Sequence, residues 1–163
     1  MQARMEDAMT STLAEVRAIL DSRVEACRAK DIDRLMSLYS PNIVYFDCVP
    51  PLEFVGSDAV RRNFLRWFDE YEGTINLETH HLNSAIAESG DVAFVHMLHL
   101  DTGTMDLDNE TRERNKEQSR DRTLWLRSTV CLQRSDDKWL VTHEHISMPV
   151  DLETMIAIPD VGL

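Results

Sequence analysis

The sequence predicts an α+β fold in which helices pack on one face of a curved, mainly antiparallel β-sheet. Two observations carry this expectation. Up to about residue 71, apolar side chains recur at three- and four-residue spacing around a single short β-rich run, the signature of amphipathic helices. From Thr74 onward the pattern changes to long extended segments, so the two classes are segregated along the chain and not interleaved.

The first helix is expected from Thr12, where Thr12-Leu13-Ala14-Glu15 offers a capping box and Leu13, Val16, Leu20, Val24 and Cys27 follow along one face. Asp31 is placed to cap a second, shorter helix with a stripe of Ile32, Leu35, Met36 and Tyr39, ended by Pro41. The run Ile43–Val49 is rich in β-branched and aromatic residues and meets Pro50-Pro51, which halts ladder hydrogen bonding; a short strand therefore ends near Asp47. Ser57 is expected to cap a third helix with an apolar face of Val60, Phe64, Trp67, Phe68 and Tyr71, closed by Gly73.

Four extended segments come next, over 74–88, 92–104, 122–133 and 138–148, with a Ser-Gly-Asp turn at 89–91; they read as an antiparallel meander. The stretch 105–122 between two of them is almost wholly polar with alternating charge, so it cannot join a core and reads as a long solvated hairpin loop.

With 163 residues the chain is the length of one domain, 1–163. The net charge of −12 argues against a nucleic acid or an anionic membrane surface as main partner, since both would be repelled. A neutral or cationic small molecule fits this charge better. Acidic residues interrupt the opening Met1–Met9 where a secretory signal needs an apolar stretch, and no later run approaches a membrane span, so a cytoplasmic protein is expected. Cys27, Cys48 and Cys131 are odd in number and widely spaced among apolar neighbours, which fits free thiols better than a disulfide or zinc framework.

Asp47 is the leading candidate for chemistry. It follows a largely apolar strand, where a partly desolvated carboxylate suits a general base; equally, it could cap the Pro-Pro turn through backbone hydrogen bonds. On the last strand, alternation sends His143 and His145 to one face and Glu144 to the other. The histidines could bind metal with His96 or Asp47, but a packed histidine is the commoner role for such a pattern and no metal is expected. Trp125 and Arg127 share a strand face and could offer an aromatic wall beside a guanidinium, or cover a dimer interface.

The stretches 29–47, 50–64, 90–99 and 138–149, taken in order, resemble the SnoaL-like branch of the NTF2-like superfamily, over nearly the whole chain. The resemblance implies a cone of three N-terminal helices on a curved sheet that encloses a pocket. Ketosteroid isomerases of that superfamily use an Asp at the end of the first strand as proton shuttle, and Asp47 matches its place. Their oxyanion donors, a Tyr on the first helix and a protonated Asp on a late strand, fall here on Arg23 and near Arg127 or Thr129. True ketosteroid isomerase activity is therefore not expected.

The resulting expectation is a cofactor-independent isomerase, lyase or cyclase acting on a small hydrophobic or oxygenated organic molecule. Asp47, His145 and Arg127 are the candidate catalytic residues, and Arg23, Tyr45, Phe68, His96, Trp125 and His143 the candidate substrate-binding ones. The alternative is a non-catalytic binding or dimerisation module of the same fold. In either case a homodimer through the open sheet face is expected.

Overall fold

A computed structural model describes residues 2–106 and 120–161 of the chain. Its helices are α1 (Gln2–Arg28), α2 (Ile32–Met36) and α3 (Ser57–Asp69). The strands are β1 (Tyr39–Phe46), β2 (Glu53–Val55), β3 (Tyr71–Ile86), β4 (Val92–Met105), β5 (Asp121–Ser135), β6 (Lys138–Ser147), β7 (Val150–Asp151) and β8 (Ile156–Ala157). Six of them form a sheet in the order β2-β1-β6-β5-β4-β3, in which only the β1–β6 pair is parallel. The remaining pair, β7 and β8, forms a small separate hairpin.

Helices α1 and α3 lie over one face of the sheet, α1 mainly against β3 and α3 against β1. The core between the layers holds Val16, Leu20, Leu35, Ile43, Val60, Phe64, Val95, Val130 and Val141, all essentially removed from water. Each such aliphatic or aromatic side chain contributes about 1.5–3 kcal/mol when fully buried. This is the α+β cone that the segregation of patterns predicts, with a sheet that curls without closing.

Local details depart from the expectations. Helix α1 begins ten residues before the Thr12 box, and Leu13 is 37% exposed and not part of the buried stripe. Asp31 does cap α2, accepting from the Arg34 amide at 3.0 Å, but the helix stops at Met36 and Tyr39 and Pro41 already belong to β1. Pro41 sits near the start of a strand, where its missing donor is tolerated. Ser57 is the first residue of α3 and not its cap; Gly56 occupies that position at φ 83°, a conformation that favours glycine. Gly73 falls within β3, beside a register shift between Glu72 and Asn76, while α3 ends at Asp69. The middle of the polar stretch, 107–119, lies outside the described residues.

Inward and outward positions alternate along each long strand. On β4 the interior receives Val95, Met97, His99 and Asp101; on β5 it receives Ser128, Val130 and Leu132. A register shift opposite Cys131 and Leu132 changes the phase of β6 between Val141 and Glu144, so that Glu144 and Ile146 point inward. No helix among the described residues is long and apolar enough to cross a membrane.

Candidate functional site

A cavity of about 720 Å³, counting its open mouth, lies between α1, α3 and the concave side of the sheet. Its walls are mostly apolar: Tyr45, Phe64, Leu77, Leu124, Leu126 and Ile146 face it. Two polar groups interrupt these walls, one deep and one nearer α3.

The deep group forms around Arg23, which is only 4% exposed. Its Nη2 pairs with Glu144 Oε1, and its Nε donates to the Tyr39 hydroxyl at 2.8 Å. That hydroxyl in turn donates to Glu144 Oε2 at 2.6 Å, so both carboxylate oxygens are engaged. Burial alone works against the Arg23 charge, but the coulombic pull of Glu144 prevails and holds the guanidinium protonated. Burial likewise pushes the Tyr39 hydroxyl well up, which keeps it a donor. His99 Nε2 lies 3.5 Å from Arg23 Nη1; since an arginine can only donate, this nitrogen accepts and the proton sits on Nδ1, 3.4 Å from Thr79 Oγ1. Burial, reinforced by the Arg23 charge, pulls His99 down to about 3, so the ring is neutral.

The second group centres on Asp101, which is 0% exposed. Its Oδ2 accepts from the Tyr71 hydroxyl at 2.8 Å, while Oδ1 is buried with no hydrogen-bond partner among the described residues. Burial raises the Asp101 carboxyl above its ordinary value; the Tyr71 hydroxyl, Arg122 and Trp67 pull the other way, less strongly. Arg122 packs 5.4 Å from the centre of the Tyr71 ring and donates to Glu70 Oε2 at 2.7 Å. Glu70 Oε1 is taken by Arg66.

Asp47 lines the same cavity from the end of β1 and is half-buried. Its Oδ1 accepts from the Cys48 amide at 2.7 Å, and its Oδ2 from Asn63 Nδ2 at 2.7 Å. The adjacent thiol of Cys48 is pushed up to about 11 by burial and by Asp47, which makes it a poor nucleophile.

Of the residues singled out from the sequence, Asp47, Arg23 and Tyr45 meet in this cavity. Phe68 is buried in the core behind it. The others lie on the outer side of the sheet: His96, Arg127 and His145 are exposed, and Trp125 and His143 half-buried. The Trp125 ring packs at a tilt against His80, 5.1 Å between centres, and His143 meets Phe46 at 4.9 Å and bonds the Val44 carbonyl through Nδ1 at 2.9 Å. The expected place of His145 and Arg127 at the cavity is thereby corrected: the inward residues beside them are Glu144 on β6, after its phase change, and Leu126 and Ser128 on β5. Thr129 is also outward; between it and Arg127, Ser128 is the inward residue, its hydroxyl buried without a partner among the described residues.

His99, Asp101 and Arg122 are not among the candidates that the sequence offers, and Glu144 is placed by alternation opposite the two histidines but not assigned a role. A signal for the first two existed: along β4 they continue the inward series of Val95 and Met97, and polar residues at the end of such a series point into a buried space. No group of three or more His, Cys, Asp or Glu side chains among the described residues is arranged to hold a metal ion.

A family profile described as a SnoaL-like domain matches residues 16–151. Among solved structures, an NTF2-like protein of unknown function from Pseudomonas putida KT2440 shares 27% identity, with 94% of this chain and 98% of that one aligned at a TM-score of 0.77. A hexachlorocyclohexane dehydrochlorinase from Novosphingobium barchaimii LL02 aligns over 97% and 96% of the two chains at 13% identity and a TM-score of 0.72. A ketosteroid isomerase-like protein from Erwinia carotovora atroseptica aligns over 83% and 94% at 20% identity and a TM-score of 0.63. The latter two likenesses speak to fold alone. No match is found among curated proteins. The profile covers most of the 163 residues, and the chain belongs to the SnoaL-like family of the NTF2-like superfamily.

Proposed function

We propose that the cavity takes up a small, uncharged, partly oxygenated organic molecule and that the chain acts on it as a cofactor-independent isomerase, lyase or cyclase, with Asp47 as the proton-transferring carboxylate. The observation that supports this reading is the position of Asp47: half-buried at the wall of a mostly apolar cavity, with its carboxylate held by the Cys48 amide and thiol and by Asn63. Fixed donors orient a carboxylate without neutralising it, which suits a group that must accept a proton and return it.

Charge favours an uncharged ligand. Arg23 is committed to Glu144, and Arg66 and Arg122 share Glu70, so these cavity cations already have anionic partners. In the proposed step Asp47 removes a proton from carbon next to an electron-withdrawing group. The proton then returns at a second carbon in an isomerisation, or, in an elimination, the C–H electron pair forms a carbon–carbon double bond while a leaving group on the adjacent carbon departs with its own bonding pair.

The experiment is exchange of carbon-bound hydrogen. A panel of small cyclic ketones is incubated with the protein in deuterated buffer and followed by proton NMR. Exchange above background that is lost in Asp47→Asn supports the reading; exchange unchanged in Asp47→Asn contradicts it. The second reading, binding without turnover, is favoured by the fact that both Asp47 oxygens already accept hydrogen bonds, as a turn cap would. Ligand uptake with no exchange in any ketone would select it.

We also propose that the outer sheet face joins two copies of the chain. Phe94 is 49% exposed there, with Val92 exposed on the same strand and Phe46 exposed two strands beyond β5, on β1. Sedimentation of wild type as a dimer and of Phe94→Glu as a monomer supports this; a monomeric wild type excludes it.

A further inference from the structure

Asn63 is out of keeping with its surroundings. It lies midway along α3, among Val60, Phe64 and Phe68 on the buried face, and is itself only 4% exposed. Asparagine is a poor helix former and a buried amide without partners costs the fold, where a leucine would simply pack. Its two partners account for it. Nδ2 donates to Asp47 Oδ2 at 2.7 Å, and Oδ1 accepts from Arg66 Nη2 at 3.1 Å and Nε at 3.3 Å. Because a guanidinium only donates and an ionised carboxylate only accepts, these neighbours leave the amide a single orientation.

Arg66 is fixed in turn from its far end. Glu70 Oε1 takes its Nη1, and Glu70 Oε2 accepts from Arg122 Nη1 at 2.7 Å. Asn63, Arg66 and Glu70 stand three and four places apart on one helix face, so α3 presents them as a row. A continuous run of donors and acceptors thus leads from Arg122 through Glu70, Arg66 and Asn63 to Asp47. Among the described residues Asp47 itself forms no ion pair, since both arginines are turned to Glu70.

We propose that Asn63 and Arg66 are positioning residues for Asp47: Arg66 locks the Asn63 amide in one sense, and the amide fixes the rotation of the carboxylate that takes the substrate proton. The inference rests on the reading of Asp47 as the proton-transferring group and adds how that group is held. The donors to Asp47 Oδ1, the Cys48 amide at 2.7 Å and the Cys48 thiol at 3.4 Å, belong to the next residue and move with the turn. Asn63 is the donor from another element, and it ties the carboxylate to the helix.

An amide suits this place better than the guanidinium behind it. Direct pairing with Arg66 would hold the carboxylate in its charged form and make it a weak acceptor of a proton from carbon. Through Asn63 the arginine supplies direction instead. It polarises the amide and strengthens the hydrogen bond to Oδ2, while its own charge is met by Glu70. When the substrate C–H bond breaks, its electron pair stays on the substrate as an enolate and the proton passes to Asp47. A carboxylate held at one rotation meets that proton without first having to turn.

The test has one arm without substrate and one with it. Nitrogen-edited NMR of the whole protein reads the Asn63 side-chain amide directly. In wild type one amide proton should lie well downfield of the other and exchange slowly with water. Asp47→Ala should return it toward the position of an unbonded amide, and Arg66→Met, a change at an exposed side chain, should speed its exchange with water. An Asn63 amide indifferent to either substitution overturns the proposal.

The second arm follows deuterium uptake by cyclohex-2-enone. Asn63→Leu should slow it at saturating ketone by about tenfold or more while leaving the half-saturating concentration within about twofold, the mark of a group that acts on the reacting carboxylate and not on ligand uptake. Arg66→Met should slow it less, and should add nothing in the Asn63→Leu background, because its effect passes through the amide. An unchanged rate in Asn63→Leu, a loss confined to half-saturation, or an Arg66→Met loss of equal size in both backgrounds overturns the proposal. If Asn63→Leu does not fold, the amide signals and Arg66→Met decide. No uptake of deuterium with wild type would refute the proton-transfer reading, and the amide signals alone would then decide whether Asn63 and Arg66 hold Asp47. Uptake dependent on Asp47 with an amide indifferent to Asp47→Ala would refute the positioning and leave the proton-transfer reading standing.

Discussion

Glu144 and Asp101 are both strand carboxylates with 0% exposure, both directed from the sheet into the same interior, yet they are finished differently. Each oxygen of Glu144 has a donor, one from Arg23 and one from Tyr39. Asp101 has one donor and one open oxygen. A buried polar group whose members all have partners fixes the packing around it and has no capacity left for a ligand. A carboxyl group with an oxygen that lacks a close partner contributes less to the fold than one whose oxygens are both engaged.

The largest effect should come from breaking the closed group. Glu144→Ala leaves Arg23 buried without its anion and should lower stability by about 3–5 kcal/mol in chemical denaturation; a loss under about 1 kcal/mol would remove the distinction between the two carboxylates. Next comes His99, which burial holds down to about 3 from an ordinary 6.5. Between those values the unfolded chain takes up a proton that the native ring refuses, so the His99 contribution is complete above 6.5 and is lost as pH falls toward 3. The thermal midpoint should therefore drop with acid over this window, and His99→Gln should flatten the slope.

Asp101 carries the opposite sign. Its folded value is raised above 3.8, so its contribution to stability is fully present below that value and is lost as pH rises through the folded titration. Asp101→Asn should therefore gain stability relative to wild type as pH rises from acid toward neutral, read as a thermal midpoint that climbs above that of wild type. An effect that is equal at both ends of the pH range would mean that burial does not raise the Asp101 carboxyl. The smallest effects belong to the outer face. His96→Ala and Arg127→Ala should shift stability by no more than about 0.5 kcal/mol and leave cyclohexenone affinity within about twofold; a larger loss would return those residues to the site.

The fold was legible because its two halves carry different periods, and because β1 ends at a carboxylate followed by two prolines. The placement of Asp47 followed from this local pattern alone. What was not legible was which face of β5 and β6 turns inward. Alternation relates His143, His145, Trp125 and Arg127 to one another but not to the cavity, and the register shift beside Cys131 changes the phase midway along β6. Asp101 and Arg122 are brought together only by pairing β4 with β5, where Thr102 is opposite Thr123 and Gly103 opposite Arg122. Such long-range pairing has no local signature. The closed group is equally remote, since Arg23 and Glu144 meet from opposite ends of the chain.

The most direct measurement is a crystal structure of the protein with cyclohex-2-enone bound. The account predicts the ring inside the cavity with its α-carbon toward Asp47. A probe bound on the outer sheet face, or in the cavity with its α-carbon turned away from Asp47, would contradict it.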